Sequence, residues 1–513
     1  MRFLLYGCLW MKISKLFFFL LTLFFTAGAA LQYHLIFSGD VSWLLHVTQK
    51  LLNGGVYVND FFETNPPLIL YLYMPSIWLH QLFSLNLRLS FQLYMTLWIL
   101  LSLLLSNYLL SQNKKISLQL RQVFLFAIVF ISLFLPSSEF GQRDYLALLF
   151  TLPYLFLLTN KADQIDAPLL PTCLIAILGS IGFFIKPFFL IPPALIGIYL
   201  LIRTKHPFKT FRVELITFFT VALLLLISIV LFTPQYFTSL IPLITSVYYA
   251  TVSFQWSYLL LYGPFGLIFF FCVLSGSFYL TQRKESDLKS LGDILALATL
   301  GFLASYLLQR TAWYYHIIPA FSCAILLTIV SLSSLRIHKK SVLALLSAFC
   351  LAIPIGVSMR MIQEGRMALS DPLFVQLKNK INQTKPNKTI YFLDVCYTDA
   401  YPLIDYTSAQ KNVSRFPVLY WLTTAVAETN RLTPKKRQHI KTFLTNAVIQ
   451  DLQKGQPDLL FVQDPTQQSD CLKNKKFNIT RFFEKDTKFR TILKHYRATN
   501  HIDHFILYQR LHH

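Results

Sequence analysis

GDVSWLLHVTQKLLNGGVYVNDFFETNPP, from Gly39 to Pro67, decides how the chain is read. It follows the apolar run LFFFLLTLFFTAGAALQYHLIF at residues 16–37, which is long enough to cross a bilayer core. The stretch itself is too polar to lie in lipid. Asp40, Asp60 and Glu63 therefore stand close to the point where the run leaves the membrane. Acidic groups at such a boundary are costly unless solvated, paired or used, which makes them candidate functional groups. An ordinary solvated loop is the plain alternative. Arg2, Lys12 and Lys15 precede the run, so the positive-inside bias puts the N-terminus in the cytoplasm and Asp40 outside.

The composition supports a membrane protein. Of 513 residues, 55% are hydrophobic and 14% charged, with a mean hydropathy of +0.51; soluble domains carry about 25% charged residues. The net charge of +22 is unevenly spread. Residues 1–359 hold 22 Lys/Arg and 11 Asp/Glu, and residues 360–513 hold 24 and 13. The second part is much denser in charge and reads as a separate, water-exposed domain. In the first part the basic residues fall in short clusters between apolar runs, a topology signal rather than a nucleic-acid surface.

Further spans are expected near 88–110, 123–136, 145–159, 169–185, 188–202, 213–232, 258–280, 294–309, 317–335 and 341–359. Residues 66–85 are interrupted by Pro75, His80 and Gln81 and read as a helix at the outer interface. The total of eleven spans leaves residues 360–513 outside. The tail reads as a small α/β domain, with buried strands at Thr389–Val395 and Asp458–Gln463 and a helix over Pro434–Lys454 that ends at Gly455. Of seven cysteines, Cys173, Cys272, Cys323 and Cys350 lie in apolar runs and read as buried hydrophobes. Cys396 and Cys471 share the tail and are expected to pair in an oxidising compartment.

With this topology the outward links collect acids, cations and aromatics. The second carries Glu139, Gln142, Arg143 and Asp144; the third is little more than Lys186-Pro187; the fifth runs from Gln309 and Arg310 through Trp313, Tyr314 and Tyr315 to His316. Cations on the outer face run against the positive-inside bias. Arg143, Lys186 and Arg310 suit a phosphate clamp, since guanidinium and ammonium groups neutralise a leaving phosphate. Snorkelling, or pairing with a neighbouring acid, is the alternative for each one alone. His316 is an accessory candidate or an interface anchor. The chain has no P-loop, GxGxxG, paired CxxC or HExxH in a supporting context, which argues against a soluble-type nucleotide or zinc site. An acid and phosphate-binding cations at a membrane face suit transfer from a lipid-linked phosphate donor: the acid takes a proton from an acceptor hydroxyl while the cations stabilise the departing phosphate.

The residues that carry a family resemblance are Gly39-Asp40 after the first span, Leu52-Asn-Gly-Gly-Val-Tyr57, and Phe62-Glu63-Thr-Asn-Pro66-Pro67-Leu68. The pattern resembles the polyprenol-phosphate-dependent class C glycosyltransferases, in particular the protein O-mannosyltransferase and aminoarabinose-transferase superfamily. That resemblance covers roughly residues 15–335. It implies that Asp40 matches the catalytic base, Glu63 the second acid of the first loop, Asp144 the acid of the second external loop and Lys186 a donor-phosphate cation. The chain departs from the pattern at Val41 and Ser42, where an Asp-Glu pair is not formed with Asp40, so use of a divalent cation stays open.

The expected architecture is an all-α polytopic membrane domain of about eleven transmembrane helices at 1–359, with a first external loop at 38–87, and an extracytoplasmic α/β domain at 360–513. The expected function is transfer of a sugar from a polyprenyl-phosphate donor to a lipid, glycan or protein acceptor, most simply at a bacterial inner membrane with the tail in the periplasm. Asp40 would act as base, Glu63 would orient, and Arg143, Lys186 and Arg310 would hold phosphate, with Asp60, Asp144 and His316 as accessories. No cofactor is implied beyond the lipid-linked co-substrate. A polytopic glycan or lipid transporter is the alternative, and it should show intramembrane ionisable residues or inverted repeats.

Overall fold

The computed structural model describes residues 15–251, 254–335, 340–409, 411–427, 432–468, 471–472 and 477–511. The described residues are 71% helical, with a small C-terminal sheet. Ten of the eleven expected spans each correspond to one helix. Among the described residues, seven helices are long and apolar enough to cross a membrane: Lys15–His34, Leu87–Gln112, Arg143–Ala162, Arg212–Phe232, Gly263–Gln282, Lys289–Gln309 and Tyr314–Ser333. Leu118–Leu133, Leu169–Phe184 and Pro187–Arg203 are shorter apolar segments. The eleventh expected span lies in the helix Lys340–Leu369. The span expected at 258–280 is broken: a short helix, Trp256–Leu261, ends at Tyr262, and Gly263–Gln282 starts afresh with Pro264 in its first turn. Proline fits there because a first-turn N–H has no helical partner to lose. The protein is a multi-pass integral membrane protein.

Packing divides the chain into two compact units. The first, a helical membrane unit, comprises the described residues of 15–35, 91–226 and 254–365. Its centre is formed by helices that are apolar on every face, as full burial requires. In the most apolar stretch of Arg143–Ala162, 94% of the residues are buried, against 6% in Arg212–Phe232. Small residues set the closest approaches. A Cβ on Gly179 would lie 2.5 Å from the Tyr154 ring, and one on Gly301 would lie 2.6 Å from the Pro192 Cα.

The second unit gathers the described residues of 36–90, 227–251 and 366–511. It holds a five-stranded sheet of β1 (Thr389–Leu393), β2 (Lys411–Asn412), β3 (Leu459–Gln463), β4 (Tyr496–Ile502) and β5 (Phe505–Arg510), in the order β2-β1-β3-β5-β4. β1 pairs in parallel with β2 and β3, while β3–β5 and β4–β5 are antiparallel. The two strands expected from the sequence are the buried central pair, and β2, β4 and β5 are additions to that reading. The helix before β3, Pro434–Gly455, is capped by Thr433, whose side chain accepts from the Lys436 N–H. A disulfide joins Cys396 to Cys471, and so ties the segment after β1 to the segment after β3.

The first loop is folded within this unit. It opens with the helix Gly39–Leu52 and continues, after Pro67, into Leu68–Phe83. The Ser42 hydroxyl donates to the Tyr401 carbonyl at 2.7 Å, and His46 pairs with Asp405 at 3.1 Å. Lys50 donates to the Ser414 carbonyl at 2.8 Å, and the Phe62 N–H donates to the Arg415 carbonyl at 2.6 Å. The Phe62 ring lies among Phe416, Trp421 and Phe443, at centroid distances of 5.1–5.9 Å.

Candidate active site

In the membrane unit, the candidate cations stand where central helices begin and end. Ser137 and Gly141 both have positive φ, at 52° and 85°. They bracket a short turn that delivers Arg143 and Asp144 into the first turn of Arg143–Ala162. Gly141 is required twice over, by its φ and because a Cβ would lie 2.4 Å from the Phe91 ring. Asp144 is fully buried there, at a helix N-terminus that favours a carboxylate. Lys186 leaves Leu169–Phe184 just before Pro187, and its Nζ meets Asp144 Oδ2 at 2.6 Å and Gln309 Oε1 at 3.2 Å.

Arg143 and Lys186 share one aromatic partner, Tyr315. The Arg143 guanidinium donates to the Tyr315 hydroxyl at 3.2 Å and lies 5.5 Å from the ring centroid, while Lys186 Nζ lies 5.2 Å from the same centroid. The side chains of Arg143, Asp144 and Lys186 are all nearly buried. A buried pair of this kind persists only where further hydrogen bonds support it; Gln309 accepts one from Lys186, and Tyr315 accepts one from the adjacent Arg143. His316 packs its ring against Tyr315, at 4.3 Å between centroids, and its Nδ1 faces the Thr311 hydroxyl.

Arg310 has a different setting. Its guanidinium lies 5.0 Å from the Trp256 ring centroid and donates to the Phe254 carbonyl at 3.0 Å. Arg310 and Ala312 have φ of 53° and 50°, a left-handed backbone that costs of order 1–3 kcal/mol for such residues and collects at functional sites. This strained turn separates Gln309 from Tyr315 and lets both side chains reach the cation cluster.

The candidate acids lie in the second unit. Asp40 is the second residue of Gly39–Leu52, half-buried in its first turn. Glu63 is buried and takes three hydrogen bonds, from Trp43 Nε1 at 2.7 Å, from the Asn65 N–H at 2.8 Å and from the Asn65 side chain. Trp43 thus connects Glu63 to the helix that carries Asp40. Asp60 is a fastener: its carboxylate accepts from the Val56 N–H and pairs with Lys454 at 2.7 Å. Partial burial pushes the Asp60 carboxyl up, but the bonds from Lys454 and Val56 outweigh it and hold it below the usual carboxylate range. Behind Glu63 lie Tyr57 and Tyr236, 5.8 Å apart between ring centroids. Burial, and then the nearby Glu63 charge, pushes the Tyr57 hydroxyl well above its ordinary value.

Four partners of the candidates carried no assigned role in the sequence: Gln309, Tyr315, Trp43 and Asn65. Gln309 and Tyr315 flank Arg310 in a polar link, and Asn65 stands in the Glu-Thr-Asn-Pro-Pro run, so position was the available signal. Among the described residues no group of three or more His, Cys, Asp or Glu side chains is placed to hold a metal ion, which leaves the divalent-cation alternative without a donor set.

No family model matches the chain, and no curated protein matches it. Solved structures do. The crystal structure of ArnT from Cupriavidus metallidurans bound to undecaprenyl phosphate is similar, with a TM-score of 0.55 at 11% identity, covering 96% of this chain and 97% of that one. ArnT from the same organism in the apo state gives 0.54, with the same identity and coverage. The likeness therefore runs through the helical unit and the α/β unit alike, and the fold of this chain is that of the class C glycosyltransferases.

Proposed function

We propose that this protein is an integral membrane glycosyltransferase that moves a sugar from a polyprenyl-phosphate donor to an acceptor hydroxyl outside the cytoplasm. The observation that carries the reading is the likeness to ArnT over nearly the whole of both chains, one ArnT structure being bound to undecaprenyl phosphate. The acceptor oxygen attacks the anomeric carbon, the bond from that carbon to the phosphate oxygen breaks, and polyprenyl phosphate leaves with the electron pair. Asp40 accepts the hydroxyl proton, and displacement in line inverts the anomeric centre. Glu63, fixed by Trp43 and Asn65, positions the first loop around that acid.

Arg143 and Lys186 hold the donor phosphate, with Asp144 and Tyr315 keeping them in place. Guanidinium and ammonium groups suit a phosphodiester, which carries a single negative charge. Arg310 acts at the edge of the cluster through the turn it shapes. The acceptor is a lipid, a glycan or a protein, and the setting a bacterial inner membrane with the α/β unit in the periplasm; the Cys396–Cys471 disulfide suits such an oxidising compartment.

The test is to reconstitute purified protein with a lipid-linked sugar carrying a label and to follow release of polyprenyl phosphate with and without cell-envelope acceptors. Acceptor-dependent release of polyprenyl phosphate is expected. Intact donor appearing in the opposite leaflet, without cleavage, would instead establish a flippase.

A further inference from the structure

An apolar cavity lies among the helices of the membrane unit. Helices Arg143–Ala162, Ile191–Arg203 and Arg212–Phe232 enclose an open cavity of about 400 Å³, within the range of pockets that hold a small molecule. Its walls are almost wholly apolar and include Tyr154, Ile196, Leu200, Phe211 and Phe218. Gly197 lines it as well, and a Cβ there would meet nothing within 4 Å. The polar group at its base, Glu214, is neutralised by Lys161 at 2.6 Å, so the cavity offers hydrocarbon an uncharged bed.

Two features identify the occupant. One wall, Arg212–Phe232, is the least buried of the long apolar helices, with Leu215 38% and Phe219 66% exposed. In a multi-pass protein such a face is covered by lipid, and the cavity opens along it. The link that supplies Pro207, Phe208 and Phe211 to the lining also carries Lys205, Lys209 and Arg212, all exposed. The neighbouring Arg203 is already engaged by Ser290 and Asp293. Basic groups beside an apolar cleft between transmembrane helices select an anionic headgroup.

We propose that this cleft binds one anionic phospholipid, an acyl chain lying against Gly197, Leu200 and Phe218 and the phosphate held by Lys205, Lys209 and Arg212. The site is independent of sugar transfer, and its readout is bound lipid. Native mass spectrometry of detergent-purified protein, with phosphatidylglycerol or phosphatidylcholine added, tests it. The wild type should retain one phosphatidylglycerol, with at least tenfold preference over phosphatidylcholine. Gly197→Phe fills the cleft without meeting backbone and should abolish retention at an unchanged melting temperature of the lipid-free protein. Lys205→Gln/Lys209→Gln/Arg212→Gln removes only exposed charges and should erase the preference while leaving weak binding. Undiminished retention in Gly197→Phe, no preference in the wild type, or a polyprenyl phosphate as the tightly held lipid would each overturn the proposal. If Gly197→Phe melts early, Gly197→Leu and the charge variant decide it by the same measure.

Discussion

Asp40 and Asp144 are both aspartates in the first turn of a helix, where the backbone N–H groups favour negative charge, yet their surroundings differ. Asp144 is fully buried in the membrane unit and spends its charge on Lys186. Asp40 is half-buried on the first loop, in the unit that holds the five-stranded sheet. An acid that must take a proton from an incoming hydroxyl has to be reachable, whereas an acid that holds a cation in an apolar interior must be enclosed. The same local preference therefore stands in two settings, and on the proposed mechanism the accessible acid serves chemistry and the enclosed one positioning.

The sharpest way to break the comparison is to neutralise each acid. Asp40→Asn should lower transfer by at least ~10²-fold, the usual cost of a lost general base, with donor affinity nearly unchanged; near-normal turnover in the folded variant would remove Asp40 from the mechanism. Lys186→Met should lower stability by about 3–5 kcal/mol, because it leaves Asp144 as an uncompensated buried charge. Adding Asp144→Leu should restore stability but not donor binding, and thermal unfolding combined with donor titration would separate the two effects. If the double variant binds donor normally, the cations are structural only.

Smaller effects sharpen the picture of the first loop. Glu63→Gln turns one acceptor into a donor facing Trp43 or Asn65, and should cost about 1.5–3 kcal/mol, the worth of hydrogen bonds to a charged group. Transfer should fall by less than in Asp40→Asn, which parallel kinetics would check. The smallest effect concerns Lys50, which burial lowers to about 8 from its ordinary 10.5 although Asp451 and Asp60 pull it back up. Below pH 8 the folded chain bears the full penalty of that buried ammonium. The penalty fades between pH 8 and 10.5, where the folded chain has released a proton that the unfolded chain still binds. The melting temperature of Lys50→Met minus that of the wild type should therefore fall by about 2–4 °C across that interval, as scanning fluorimetry at four pH values would show.

The spans were legible because twenty-residue apolar runs have few alternatives in a chain with clustered basic links. Gly39-Asp40 and Glu63-Thr-Asn-Pro-Pro marked the first loop, and Lys186 stood out as a cation in a link read as outward-facing. The pairing of Lys186 with Asp144 was not legible, because it joins residues 42 apart through the ends of two helices. The disposition of Arg310 depends on a left-handed residue that no local pattern announces. In the tail, β1 and β3 are continuous apolar runs and were visible. β4, with five consecutive exposed positions between Tyr496 and Ile502, has the polar face of an edge strand and lacks that signal.

The bond from Ser42 to the Tyr401 carbonyl spans 359 residues, which has a consequence for biosynthesis. At 5–20 residues per second, a ribosome needs on the order of 20–70 s to make the chain between them. For that interval the loop bearing Asp40 and Glu63 must wait on the membrane surface without the sheet and helices that it packs against. Its packing against Tyr401 and Ser414 is therefore among the last contacts to form. A nascent chain halted before residue 400 should carry the acids and the cations and still have no ordered first loop. Premature termination before Tyr401 therefore leaves the first loop without the partners that hold it.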